Sequence, residues 1–164
     1  RMKRFVPGVL CALSAFAGVV ERSPFGVWAS ESALAYPVAN TAHVIGAILL
    51  VGSIGLFDLR VLGYARDVPL VALGRALPRL AVLGFGLMVI SGAVLFASDA
   101  RALAGSSLFQ AKLIFIMLAG ANALAFRRMG PLGAPPTFIL RTLAALSLAL
   151  WLCVVVAGRW IAYA

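Results

Sequence analysis

Over 164 residues the chain is 63% hydrophobic and only 12% charged, with a mean hydropathy of +1.07. A water-soluble domain carries roughly twice that share of charge, so a soluble enzyme or binding module is excluded and lipid is the expected solvent. The net charge of +9 falls in short basic patches at the ends of apolar runs, which excludes the exposed basic stripe of a nucleic-acid-binding protein and points to headgroup contact and orientation.

In chain order, Arg1, Lys3 and Arg4 precede the apolar stretch FVPGVLCALSAFAGVV. This has the layout of a signal peptide, with Ala15-Phe16-Ala17 as a cleavage site. About sixteen residues are few for a crossing, and residues 1–33 read better as a helix lying on the membrane surface or half inserted. A fifth, tilted span is the alternative. Ser23-Pro24 and Gly26 break the helix.

Four longer apolar runs follow, at about 34–60, 80–97, 108–126 and 138–159, each close to the roughly 20 residues that cross a bilayer. Tyr36 and Pro37 open the first, and Asp58 and Arg60 close it. Pro78 and Arg79 precede the second, Arg127 and Arg128 stop the third, and Gly158, Arg159, Trp160 and Tyr163 end the fourth. The expected fold is all-α: one integral membrane bundle of four transmembrane helices plus an N-terminal interfacial helix, a single domain over 1–164. Short connections make successive helices antiparallel neighbours.

The first connection carries Arg60, Arg66, Arg75 and Arg79 against Asp67, the third carries Arg127, Arg128 and Arg141, and the middle one has only Asp99 and Arg101. The positive-inside rule then predicts a bacterial inner-membrane protein with the first and third connections cytoplasmic and the C-terminus outside. Trp160 and Tyr163 fit an outer aromatic belt.

Ionisable groups at membrane depth are costly, so they usually face the bundle and usually act. His43 is the single histidine. At 100° per residue Tyr36, Asn40, Gly46, Ala47, Leu50, Ile54 and Asp58 lie within about 60° of it. That stripe reads as a haem or metal ligand, or a protonatable group, with Asn40, Tyr36 and Gly46 shaping the site. The bland alternative is a histidine that hydrogen-bonds across helices. Lys112 reads either as a snorkelling cation or as the partner of a bound anion, a haem propionate or Asp99. Asn122, deeper on the same helix, reads as an interhelical hydrogen bond. Asp58 and Arg60 are expected to cap the first span and pair with each other.

Glycines and serines, among them Gly46, Gly52, Gly55, Gly84, Ser91 and Gly92, permit close helix approach, and Ser147, Trp151, Val154 and Gly158 form a packing seam. Cys11 and Cys153 read as buried hydrophobes, with no thiolate metal spacing. No Ser/His/Asp arrangement, phosphate-binding glycine loop or HExxH motif occurs, so side-chain catalysis is not expected.

The runs Tyr36-Pro37-x-x-Asn40-x-x-His43-x-x-Gly46 and Asp58-Leu59-Arg60-x-Leu62-Gly63 resemble a widespread bacterial family of unknown function, whose members are small four-span inner-membrane proteins. The likeness continues through Phe109-x-x-Lys112-Leu113, Asn122-Ala123 and Gly158-Arg159-Trp160-Ile161-Ala162-Tyr163. It covers most of the chain from about Leu13, including Ser23-Pro24; the residues before Leu13 depart from the family's short start. The resemblance implies four spans with an N-terminal surface helix and marks His43, Lys112 and Asn122 as motif positions, without an activity. At fold level the chain is also similar to b-type cytochrome membrane subunits and copper-resistance membrane proteins.

The function expected from these residues is a haem-binding (haem b) or redox-associated membrane subunit using His43, with a second copy or a partner membrane subunit alongside. A copper, proton or small-solute permease and a structural accessory subunit are the competing readings.

Overall fold

The computed structural model describes residues 5–129, 135–161 and 163. Arg1, Lys3 and Arg4, and Ala162 of the C-terminal motif, lie outside the described residues. Among the described residues there are seven helices: α1 Phe5–Glu21, α2 Pro24–Glu31, α3 Ala35–Leu62, α4 Leu70–Ser98, α5 Ala100–Gly105, α6 Ser107–Met129 and α7 Phe138–Ile161. α3, α4, α6 and α7 are each long and apolar enough to cross a membrane.

Side-chain contacts between helices fix an up-and-down order. His43 meets Ser91 across α3 and α4, Asn122 meets Leu143 across α6 and α7, and Gly55 approaches Leu148 across α3 and α7. α3 packs on α4 along one side and on α7 along the other, and α7 carries α6. α4 and α6 bring no Cα atoms within 8 Å of each other among the described residues. The bundle is therefore a bent row, α4–α3–α7–α6, whose two end helices face one another across a gap.

The α3–α4 contact is the closest in the bundle, and two glycines make it possible. A Cβ on Gly84 would stand 2.6 Å from the Leu50 nitrogen and 2.7 Å from the Gly46 oxygen, and one on Gly46 would stand 2.9 Å from the Gly84 oxygen. Backbone therefore lies on backbone here, the close approach that small residues permit in lipid. Below this crossing Leu50, Ala81, Ala119, Leu150, Trp151 and Val154 form the main core. Outward-facing positions are large and apolar: Val44, Ile48, Val82, Ile90, Met117 and Val156 are all more than half exposed, as a lipid-facing surface requires.

α1 packs at one end of the bundle, against α5 and the adjoining end of α4. Ala17, Ala100 and Ala104 bury there against Leu13, Val20 and Phe96, and Arg101 pairs with Glu21 at 3.1 Å. The Ser23-Pro24 break behaves as its residues dictate. Ser23 Oγ accepts from the Gly26 N–H at 3.1 Å and Pro24 occupies the first turn of α2, where a missing N–H costs nothing.

Three expectations need correction, the first being Cys153, which is exposed on α7 and not buried. α4 begins at Leu70, ten residues ahead of the second expected span, with Pro78 inside it. The proline is exposed and was read as a boundary, but a helix tolerates it where the freed backbone groups find other partners. The expected Asp58–Arg60 ion pair is not formed. Arg60 Nε donates to Val68 O at 2.7 Å and its terminal nitrogen to Arg66 O at 3.1 Å, so it fastens the α3–α4 loop. Gly63 ends α3 at φ +113°, a left-handed backbone that glycine adopts without strain.

Candidate functional site

His43 lies just over two turns into α3, on its α4-facing side. Its Nδ1 is 3.0 Å from Ser91 Oγ on α4. The Ser91 hydroxyl in turn lies 2.6 Å from the Leu87 carbonyl. A serine has one proton to give, and the carbonyl cannot donate, so that proton goes to Leu87. Ser91 must then accept from the ring. Nδ1 carries the hydrogen, and Nε2 keeps its lone pair. Gly92 completes the cradle: a Cβ there would lie 3.3 Å from the His43 Cε1. The Nδ1–Cε1 edge is thus held against α4.

His43 also borders the gap between α4 and α6. A cavity of about 240 Å³ fills it, lined by His43 and Leu50 from α3, Phe85, Met88, Val89 and Gly92 from α4, Phe109, Lys112, Leu113 and Ile116 from α6, and Trp151 from α7. Phe85, Val89 and Leu113 are lipid-exposed on its rim. Towards the α1 end, Phe96 on α4 stacks on Phe109 on α6 with ring centroids 5.5 Å apart. At the other end Trp151 and Leu50 belong to the main core. The cavity is closed along the bundle axis and open sideways.

Lys112 brings the only formal charge to that lining. It extends along α7, where the absent side chain of Gly158 leaves room: a Cβ there would be 3.3 Å from Nζ. Among the described residues no carboxylate pairs with it, the one ion pair being Arg101–Glu21. The cleft walls are almost wholly apolar, and the Lys112 ammonium lies against Gly158 of α7, which is not among the lining residues.

Asn122 is buried two and a half turns further along α6. It donates from Nδ2 to Leu143 O at 3.0 Å, while its Oδ1 has no partner. It is an interhelical tie and does not line the cleft. Gly46 is buried at the α3–α4 crossing, one turn from His43, where it admits Met88 and Gly84. Tyr36 and Asn40 share the His43 side of α3, two turns and one turn nearer the α1 end, and both are exposed, outside the cavity lining. Asp58 has the same azimuth as Asn40 after five full turns, yet is only 4% exposed. The difference is α7, which packs over Asp58 with Ser147 as its partner. Asp58 Oδ2 is left without a donor.

Comparison with protein-family models, with curated proteins and with solved structures gives no match to this chain. Its chemistry must be read from the cleft alone. No three of His, Cys, Asp and Glu gather anywhere among the described residues, so a metal at His43 would take its other ligands from elsewhere. Sequence reasoning missed the roles of Ser91, Met88, Phe109 and Trp151 here. A serine between Ile90 and Gly92, in a run with no other hydroxyl from Leu70 to Phe96, was the available signal for Ser91.

Proposed function

We propose that the protein is a redox-associated integral membrane subunit that binds a lipid-soluble or prosthetic ligand in the α4–α6 cleft through His43 and Lys112. One observation carries this reading: His43, tied to Ser91 through Nδ1, and Lys112 both line a laterally open cavity. Histidine glue needs no cavity beside its ring. The orientation proposed is that of the positive-inside rule. Arg60, Arg66, Arg75, Arg79, Arg127, Arg128 and Arg141 are at the end of the bundle remote from α1, which would face a bacterial cytoplasm and leave α1, the cleft mouth and the C-terminus on the outer side. Kinship with the four-span family that the motifs resemble belongs to the same proposal.

Haem b is a poor fit to the cleft as it stands. Ligands of drug size occupy pockets of about 300–1,000 Å³, and this cavity of about 240 Å³ admits a single ring rather than a macrocycle unless α4 and α6 part. His43 would hold the iron and Lys112 a propionate if they did. Permeation is less well supported, because Leu50, Val51, Ile54 and Trp151 close the bundle between the cleft and Asp58. A partner subunit is favoured by Tyr36 and Asn40, exposed polar side chains on the outer part of α3.

The test is purification from native membranes in mild detergent, with spectra and solvent extraction of the bound fraction. A chromophore or extractable small molecule present in wild type and lost in both His43→Ala and Lys112→Met is expected. Equal recovery from wild type and both variants would remove the proposal.

A further inference from the structure

Away from the cleft, a buried polar layer crosses the other half of the bundle. On each of three helices one polar residue stands between members of the two apolar clusters. Asp58 lies between Ile54 and Val61 on α3, Asn122 between Ala119 and Phe126 on α6, and Ser147 between Ala144 and Leu150 on α7. Asp58 is 4% exposed and Asn122 7%.

The three side chains converge on one turn of α7. Ser147 is the partner of Asp58. The Leu143 carbonyl, which takes a hydrogen from Asn122 Nδ2 at 3.0 Å, is also the acceptor for the Ser147 N–H within the helix. The rings of Phe57, beside Asp58 in sequence, and Phe126, one turn from Asn122, pack edge to face with centroids 5.6 Å apart. Side chains of α3 and α6 therefore touch at this level.

Two acceptors are left over in the layer. A carbonyl cannot donate, so the contact with Leu143 fixes the Asn122 amide with Nδ2 towards it and Oδ1 free. Asp58 Oδ2 and Asn122 Oδ1 are both buried without a hydrogen-bond partner. The carboxylate also lacks a counter-charge. Among the described residues the one ion pair is Arg101–Glu21, and Arg60 gives its guanidinium to Val68 O and Arg66 O. A charge shut away from water needs a partner of opposite sign, and here the chain supplies none.

We infer that Asp58, Asn122 and Ser147 hold a single hard monovalent cation of the Na⁺ kind. A carboxylate, an amide oxygen and a hydroxyl suit a hard ion and not a soft metal. One negative charge balances one positive charge, whereas a divalent ion would leave an excess charge at membrane depth. With an apolar layer at either end, the ion is a fastening between α3, α6 and α7 and not a passenger on a route through the bundle.

Purified protein in phosphatidylcholine nanodiscs is melted over a series of NaCl concentrations, with choline chloride holding the ionic strength constant. Sodium NMR linewidths are followed on the same samples. The melting temperature is expected to rise and saturate with Na⁺, and the sodium line to broaden with added protein. Asp58→Asn keeps the side-chain shape and removes the charge. It should fold, melt at or above the wild type in Na⁺-free buffer, lose the Na⁺-dependent rise and leave the line sharp. Ser147→Ala should move the midpoint of the Na⁺ response to a concentration about tenfold higher. Equal Na⁺ responses in wild type and Asp58→Asn would overturn the inference. So would a wild type whose melting temperature follows pH and ignores Na⁺, because a proton would then neutralise the carboxyl. A response to Mg²⁺ that Na⁺ does not share would overturn it too.

Discussion

Replacing Gly84 by alanine tests the claim that α3 and α4 touch backbone to backbone. The new methyl carbon would stand 2.6 Å from the Leu50 nitrogen, 2.7 Å from the Gly46 oxygen and 2.9 Å from the Leu49 Cβ. Two of these three neighbours are main chain inside a helix, so relief requires the helices to part by about 0.8 Å to restore ordinary contact. Over-packing of this kind costs about 1–3 kcal/mol, and a backbone obstacle belongs at the upper end. Alanine returns up to about 1 kcal/mol of helix propensity, so a net loss of about 2 kcal/mol is expected. Gly86→Ala is the internal control, two residues along the same helix with nothing within 4 Å of the added carbon. It gains propensity and meets only lipid, and its stability should be unchanged or rise by up to about 1 kcal/mol. Unfolding both variants and the wild type by SDS titration in mixed micelles gives the comparison directly. Gly84→Ala as stable as Gly86→Ala would refute the crossing, and with it the register that sets Ser91 beside His43.

Ser91→Ala should lower stability by about 0.6–1.7 kcal/mol and release the ring tautomer, visible as a change from a single Nδ1-protonated species to a mixture in the ¹⁵N spectrum of labelled His43. Asp58→Asn should be tolerated or mildly stabilising, because the carboxyl is buried with no cation beside it. Asp58→Lys should abolish accumulation in the membrane; normal yield of the lysine variant would show that α7 does not cover this position. Gly63→Ala should cost about 1–2 kcal/mol through its left-handed backbone, measured by the same SDS titration.

The spans were legible because they depend on composition, and lipid imposes long runs of apolar residues whatever the fold inside them. The break at Ser23-Pro24 and the stop at Gly63 were legible because capping is local. His43 and Lys112 stood out on insertion cost alone. Their convergence did not, since they reach the cleft from α3 and α6, helices that bring no Cα atoms within 8 Å of each other. The helical wheel put Asn40 and Asp58 at one azimuth and gave no means of telling that α7 covers the second and leaves the first bare. The Asp58–Arg60 pair failed for a similar reason: neighbours in sequence, they point to different places, the carboxyl to α7 and the guanidinium to loop carbonyls. Ser91 escaped notice as a small residue, because its role depends on an antiparallel register that no single helix records.

α7 meets three polar groups of α3 and α6: Ser147 is the partner of Asp58, the Leu143 carbonyl that of Asn122, and Gly158 leaves room for Lys112. It is also the last of these helices to be synthesised. Until it arrives, a nascent chain in the bilayer holds a carboxyl, an amide and an ammonium that lipid cannot satisfy. Release from the insertion machinery before α7 docks would leave those groups exposed to lipid.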